Sequence, residues 1–258
     1  MHRINIALVL LALCGITSAA DPQADSKTSP RHWLQAASLA APEAHQAAAA
    51  DEKFVFAITN TMVAKYDRLT GKRLANSTGE AKHLNSGFLS KGKLYCAHSN
   101  YPQTPEQSEI KVLDVESMQL STFKGFGNFG GSLTWAVLQD GHWWCNFARY
   151  GTDNTGTFLV KFDADWQEKG RWTYPPAVIR KLGQYSLSGG LWQDGNLLVT
   201  GHDDPVLFRL RLPSQGTVLE LIDTESVPFT GQGIASDTHS RGLIGINRAK
   251  RQVIFAAR

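Results

Sequence analysis

The chain has 258 residues, 42% of them hydrophobic and 19% charged, with a formal net charge of +3. That length supports one domain with a complete core. Lys and Arg are scattered among the carboxylates, and the one dense basic cluster, Arg248-Ala249-Lys250-Arg251, reads as an exposed turn between strands, so no nucleic-acid footprint is expected.

His2 and Arg3 precede an apolar run over residues 6–13, and Thr17-Ser18-Ala19-Ala20 then supplies small residues. This reads as a secretory signal peptide over residues 1–20, too short for a transmembrane span, and implies a secreted or periplasmic protein. Cys14 raises a lipoprotein alternative, but Leu13 stands where a small residue is expected. Residues 21–42 read as a flexible leader with one short helical turn over residues 33–39. A single domain is expected over residues 43–258.

That domain reads as five copies of one unit. Each has a short apolar stretch opened by small or polar residues, a polar turn, a second apolar stretch, another turn and a third stretch. The copies cover residues 45–49, 53–60 and 63–67; then 83–89, 93–98 and 110–114; then 132–138, 142–147 and 157–163; then 188–192, 196–202 and 206–210; then 232–235, 241–246 and 252–256. Aligning Ala48, Gly87, Trp135, Gly190 and Ile234 gives steps of 39, 48, 55 and 44 residues. Such periods with several strands per unit predict an all-β fold, a five-bladed β-propeller. Lys91-Gly92, Asp140-Gly141 and Asp194-Gly195 are hairpin signals at the first turn. Residues 99–108, with Pro102 and Pro105, read as a surface loop, and residues 175–182 as a helical turn between blades. After Ala256 no sequence remains for an outer strand in the last blade, which is therefore absent or supplied by the leader as a clasp. Beyond the leader only Cys96 and Cys145 occur, at matching places in adjacent copies. A disulfide there is conceivable in a secreted protein, but the spacing between blades favours two packing cysteines.

Successive strands run antiparallel, so the starts of the innermost strands and the ends of the second strands share one face. That face gathers His45, Gln46, His83, Asn85, Ser86, Thr134, Ser188 and Gln232 from the first set. From the second it gathers Asn60, His98, Asn146, Arg149, His202, Asp203 and Asp204. A funnel lined by amides, hydroxyls and imidazoles suits a small polar molecule or a divalent metal. His202, Asp203 and His98 are the catalytic candidates, with Asp203 or Asp204 orienting the imidazole for acid–base work. His83, Asn85, Ser86, Asn146, Arg149, Ser188 and Gln232 are the substrate-binding candidates. The run into Asp204-Pro205 reads equally as a tight turn whose aspartates bond their own backbone. Arg149 could take an anion or pair with a carboxylate. No Gly-x-Ser-x-Gly elbow, His-Glu-x-x-His helix, phosphate loop or dinucleotide fingerprint is present.

The strings Asn85-Ser86-Gly87, Gly131-Ser132-Leu133-Thr134-Trp135, Ser188-Gly189-Gly190-Leu191-Trp192, Thr200-Gly201-His202-Asp203 and Gly231-Gln232-Gly233-Ile234 resemble a group of secreted bacterial propeller proteins loosely labelled cycloisomerases. More distantly the architecture resembles propeller lactonases and five-bladed glutaminyl cyclases. The lactonase resemblance implies a metal ringed by Glu, Asn and Asp. Asn85, Asn146 and Asp203 are available, without a central Glu. The cyclase resemblance implies Glu-Gly-Leu at an inner strand, where this chain has Ser188-Gly189-Gly190-Leu191. The leading expectation is an extracytoplasmic propeller with a polar small-molecule or metal-binding funnel, of lactonase or cyclase type. The rival is a non-catalytic propeller that holds a protein or carbohydrate, favoured by the loop at residues 99–108 and by Tyr101 and Tyr150 as exposed aromatics.

Overall fold

The computed structural model describes residues 32–258, so the expected signal peptide lies outside the described residues. The described residues form twenty strands in five four-stranded antiparallel sheets. Strand β1 (Leu34–Ala40) comes first and joins the last blade. Blade one holds β2 (Ala47–Ala50), β3 (Phe54–Ile58), β4 (Val63–Asp67) and β5 (Arg73–Asn76). Blade two holds β6 (His83–Ser90), β7 (Lys93–Ser99), β8 (Ser108–Asp114) and β9 (Leu120–Gly127). Blade three holds β10 (Ser132–Gln139), β11 (His142–Ala148), β12 (Phe158–Phe162) and β13 (Glu168–Thr173). Blade four holds β14 (Gly189–Gln193), β15 (Asn196–Thr200), β16 (Val206–Arg211) and β17 (Glu220–Ser226). Blade five holds β18 (Ala235–Asp237), β19 (Gly242–Asn247), β20 (Gln252–Ala257) and, outermost, β1. This is the expected five-bladed propeller.

Burial follows strand position. β2 is buried along its whole length and β3 nearly so, because neighbouring blades cover both faces of an inner strand; such strands read as unbroken apolar runs rather than alternating ones. The outer strands β5, β13 and β17 are more exposed and carry Arg73, Lys169, Arg171, Glu220 and Asp223, charges that discourage pairing with another chain. The first hairpins of blades two, three and four close with two-residue loops. Both loop residues have positive φ, as in Asp140 (51°) and Gly141 (74°), the geometry that matches the strand twist.

The leader supplies the clasp. β1 pairs antiparallel with β20 from Leu34 opposite Ala257 to Ala40 opposite Gln252. The expected helical turn over residues 33–39 is thus a strand. Its Leu- and Ala-rich sequence favours helix locally, but the open edge of β20 offers a full ladder of backbone hydrogen bonds, and tertiary context wins. Beside the clasp, the buried Glu225 accepts hydrogen bonds from Trp33 Nε1 at 2.7 Å, Arg209 at 2.6 and 2.9 Å, and Arg258 at 2.8 Å. One carboxylate therefore ties blade four to both ends of the described chain. On the blade-five-to-one seam, Arg68 pairs bidentately with the buried Asp237 at 2.8 and 2.9 Å.

The expected turn over residues 175–182 contains a four-residue helix, α1 (Pro176–Ile179). Cys96 and Cys145 are buried and unpaired, and burial raises both thiols, Cys96 to about 12, as inert packing residues require. No helix among the described residues is long and apolar enough to cross a membrane.

Candidate functional site at the mouth of the axis

Inner strands pack tightly at two glycines, which form a plug. A Cβ on Gly190 would lie 2.4 Å from Trp135, and one on Gly233 would lie 2.6 Å from Ala47 and 3.0 Å from Ser86. Below this plug, on the side of the first hairpin turns, is an apolar hollow of about 350 Å³ lined by all five blades, including Ala49, Phe88, Val137, Trp192 and Ile234. The opposite, loop side of the axis, called the mouth below, brings together His202, Arg248 and His45.

His202, just past the end of β15, is the centre of that mouth. Its Nδ1 lies 2.7 Å from Asp203 Oδ1, a close contact off the ring N–H axis. Its ring stacks on Tyr185 with centroids 3.9 Å apart and planes within 13°. Its Nε2 faces Arg248 Nη1 at 3.5 Å, and Arg248 Nη2 reaches His45 Nε2 at 2.9 Å. One guanidinium therefore spans imidazoles from blades one and four. It belongs to the turn after β19, which sequence reading took for a solvated loop. Lys181, Gln184 and Asp204 line the hollow beside His202, of about 490 Å³.

Gln232 holds this arrangement from below. It is 2% exposed, and its carboxamide donates to the His202 carbonyl at 2.7 Å, while its own carbonyl accepts from Thr200 Oγ1 at 2.6 Å. Its φ of 103° is a conformation that L-residues rarely adopt, and it persists because these bonds over-determine it. Gly231 next to it approaches the Gly201 carbonyl so closely that a Cβ would lie 2.5 Å away. Gln232 thus positions the backbone of His202 rather than presenting its side chain to a ligand.

His45 is depressed by its own burial and by the charges of Arg248 and Arg251. His83 falls further, to about 4, mainly through burial and then through His98, His45 and Arg248. Tyr101 lies against His83 with centroids 5.3 Å apart, and Tyr150 against Tyr101 at 5.1 Å. Tyr101 is exposed as expected, but Tyr150 is not the exposed aromatic that the sequence suggested; burial raises its phenol.

The other candidates separate from this centre. His98 is 6% exposed; its Nε2 accepts from the Lys82 backbone N–H at 2.8 Å and its Nδ1 lies 3.0 Å from Glu109. These contacts lie within blade two, so His98 does not share the His202 centre. Hydrogen bonds from His98, Lys111 and Thr122 hold Glu109 down at about 2. Asn85 donates to the Leu133 carbonyl at 3.0 Å, within the bulge of β6. Ser86 is buried, with no hydrogen-bond partner for Oγ among the described residues. Asn146 is fully buried and used up, donating to Thr134 Oγ1 at 2.8 Å and accepting from Tyr174 at 2.7 Å. Arg149 donates to the Gly130 carbonyl at 2.9 Å and faces Asp153 at 3.4 Å, the pairing alternative. Ser188 donates its backbone N–H to the Thr200 carbonyl at 3.0 Å.

Among the described residues no group of three His, Cys, Asp or Glu side chains is placed to hold a metal ion. A divalent metal, left open by the sequence, would need such a set of ligands.

No family model and no curated protein matches this sequence. Among solved structures, the fold is similar to a glutaminyl cyclase from Myxococcus xanthus, with a TM-score of 0.60 and 10% identity over 89% of this chain and 98% of that one. A β-propeller domain from Myceliophteria thermophila superposes with a TM-score of 0.48 and 9% identity over 88% of this chain and 99% of that one. At such identities the likeness is one of fold.

Proposed function

We propose that the protein binds a small polar molecule at the mouth of the axis and acts on it by acid–base catalysis, with His202 as the proton carrier and Asp203 as its orienting carboxylate. The observation that carries this reading is the His202 environment. Asp203 contacts Nδ1, Tyr185 stacks on one ring face, Gln232 fixes the backbone beneath, and Nε2 turns into the mouth. A neutral imidazole held this way takes a proton at Nε2 and returns it to a leaving group. Ring closure or opening at an acyl centre fits that pattern: an amine or water loses its proton to Nε2 as it attacks, and the departing group regains it. The fold likeness to a glutaminyl cyclase is consistent with this class, and function rests on the site rather than the fold.

The test is a product screen by mass spectrometry on N-terminal glutaminyl peptides and small lactones, using the wild type and His202→Gln. Turnover of at least one compound, reduced at least about 100-fold in the variant, is expected. No turnover of either class would leave a binding propeller as the better account.

A further inference from the structure

We propose that the ligand carries an anionic group, a carboxylate or phosphate, that docks on Arg248, and that docking withdraws the guanidinium from His45 and His202. The inference rests on the acid–base reading above and deepens it by naming the ligand's charge.

The guanidinium of Arg248 has no carboxylate partner among the described residues. Both terminal nitrogens instead face imidazole Nε2 atoms, at 2.9 Å on His45 and 3.5 Å on His202. A neutral imidazole is a poor partner for a half-buried guanidinium, whereas a carboxylate or phosphate offers two parallel charge-assisted bonds. The surroundings do not supply that anion. Asp203 is engaged on the far side of the His202 ring, at Nδ1. Asp204 is exposed at the outer edge of the hollow that it shares with Lys181. His45 faces Arg248, Arg251, His202 and Asn60, and its burial together with the two arginines lowers its pKa. His83 lies within reach of the same positive charge. The mouth thus holds a guanidinium whose terminal nitrogens face two imidazoles and no carboxylate.

The consequence is a coupling. Without ligand, Arg248 occupies the side of His202 that must accept a proton. An anion that draws the guanidinium away frees Nε2 as the reactive group arrives, so base strength rises with occupancy.

The test uses the full chain with ¹³C-labelled histidine. Imidazole signals are followed by NMR while inorganic phosphate, and separately succinate, is added at constant ionic strength maintained with chloride. Saturable shifts of His45 and His202, with a rise of about half a pKa unit or more at His45, are expected from at least one anion. The two arms distinguish phosphate from carboxylate recognition. Arg248→Gln should abolish the response and Arg248→Lys should retain part of it. Linear, unsaturable shifts, shifts confined to His142 and His239, or an unchanged response in Arg248→Gln would overturn the proposal. Turnover plays no part in this readout, so anion binding without any turnover would sink the acid–base reading while leaving this inference standing.

Discussion

Arg248 Nη2 lies 2.9 Å from His45 Nε2, and this contact joins the turn after β19 to the segment entering β2. It places a cation against an imidazole that must stay neutral to accept the bond. Arg248→Gln should therefore raise the His45 pKa part of the way towards its ordinary value of about 6.5, burial and the charge of Arg251 keeping the remainder of the depression. Imidazole NMR without added anion measures this; an unmoved His45 would mean that the two side chains are apart in solution.

His83 gives the protein an acid-sensitive seam. Its folded pKa of about 4 lies below the unfolded value of about 6.5, so the unfolded chain binds the extra proton first between those values. Its contribution is complete above about pH 6.5 and is lost as pH falls towards 4. Urea unfolding at several pH values should show stability declining across that window, and His83→Gln should flatten the decline. An equal slope in the variant would assign the effect elsewhere.

Glu225 holds the closure of the ring. Burial pushes its carboxyl up, but hydrogen bonds from Arg209, Arg258 and Trp33 and the charge of Arg209 bring it net below its usual value. Glu225→Ala leaves Arg209 buried without a counter-charge and should destabilise the fold by about 3–5 kcal/mol. In a chain of this size that lowers Tm by roughly 10 °C. Because the folded pKa is depressed, this contribution is present above about pH 4.3 and fades as pH falls through the folded value. Thermal melts of the variant at neutral pH check the first point; a drop of only a degree or two would show that the clasp stands without it.

The plug has no spare volume. Gly190→Ala would drive a methyl group into the Trp135 ring, 2.4 Å away, and should cost about 1–3 kcal/mol by overpacking. Denaturant unfolding measures this, and a neutral result would imply that Trp135 can move aside.

Much of the fold was legible because it depends on local chemistry. The Asp140-Gly141 and Asp194-Gly195 turns carry their own backbone preference, and inner strands such as Phe54–Ile58 are apolar throughout because neighbouring blades cover both faces. The clasp was legible only as one of two alternatives, since what turns Leu34–Ala40 into a strand is the open edge of β20, far along the chain. The site was half legible. His202 and Asp203 are adjacent in sequence and sit together. Arg248 was missed because a basic turn normally faces solvent, and nothing local shows that this side chain reaches His45 and His202. Tyr185 was missed because it lies in a loop with no repeat position. Asn146 was placed on the correct face, but its buried bonds to Thr134 and Tyr174 come from other strands and make it structural.

The central claim is that His202 carries protons at this mouth. The most direct measurement is the pH profile of kcat/KM for the compound turned over best in the product screen, comparing wild type, Asp203→Asn and His202→Gln. The account predicts a pH-dependent limb in the wild type, a rate reduced by about 10²–10⁴ in His202→Gln with that limb gone, and a smaller loss in Asp203→Asn. A His202→Gln enzyme with wild-type rate and an unchanged profile would contradict it.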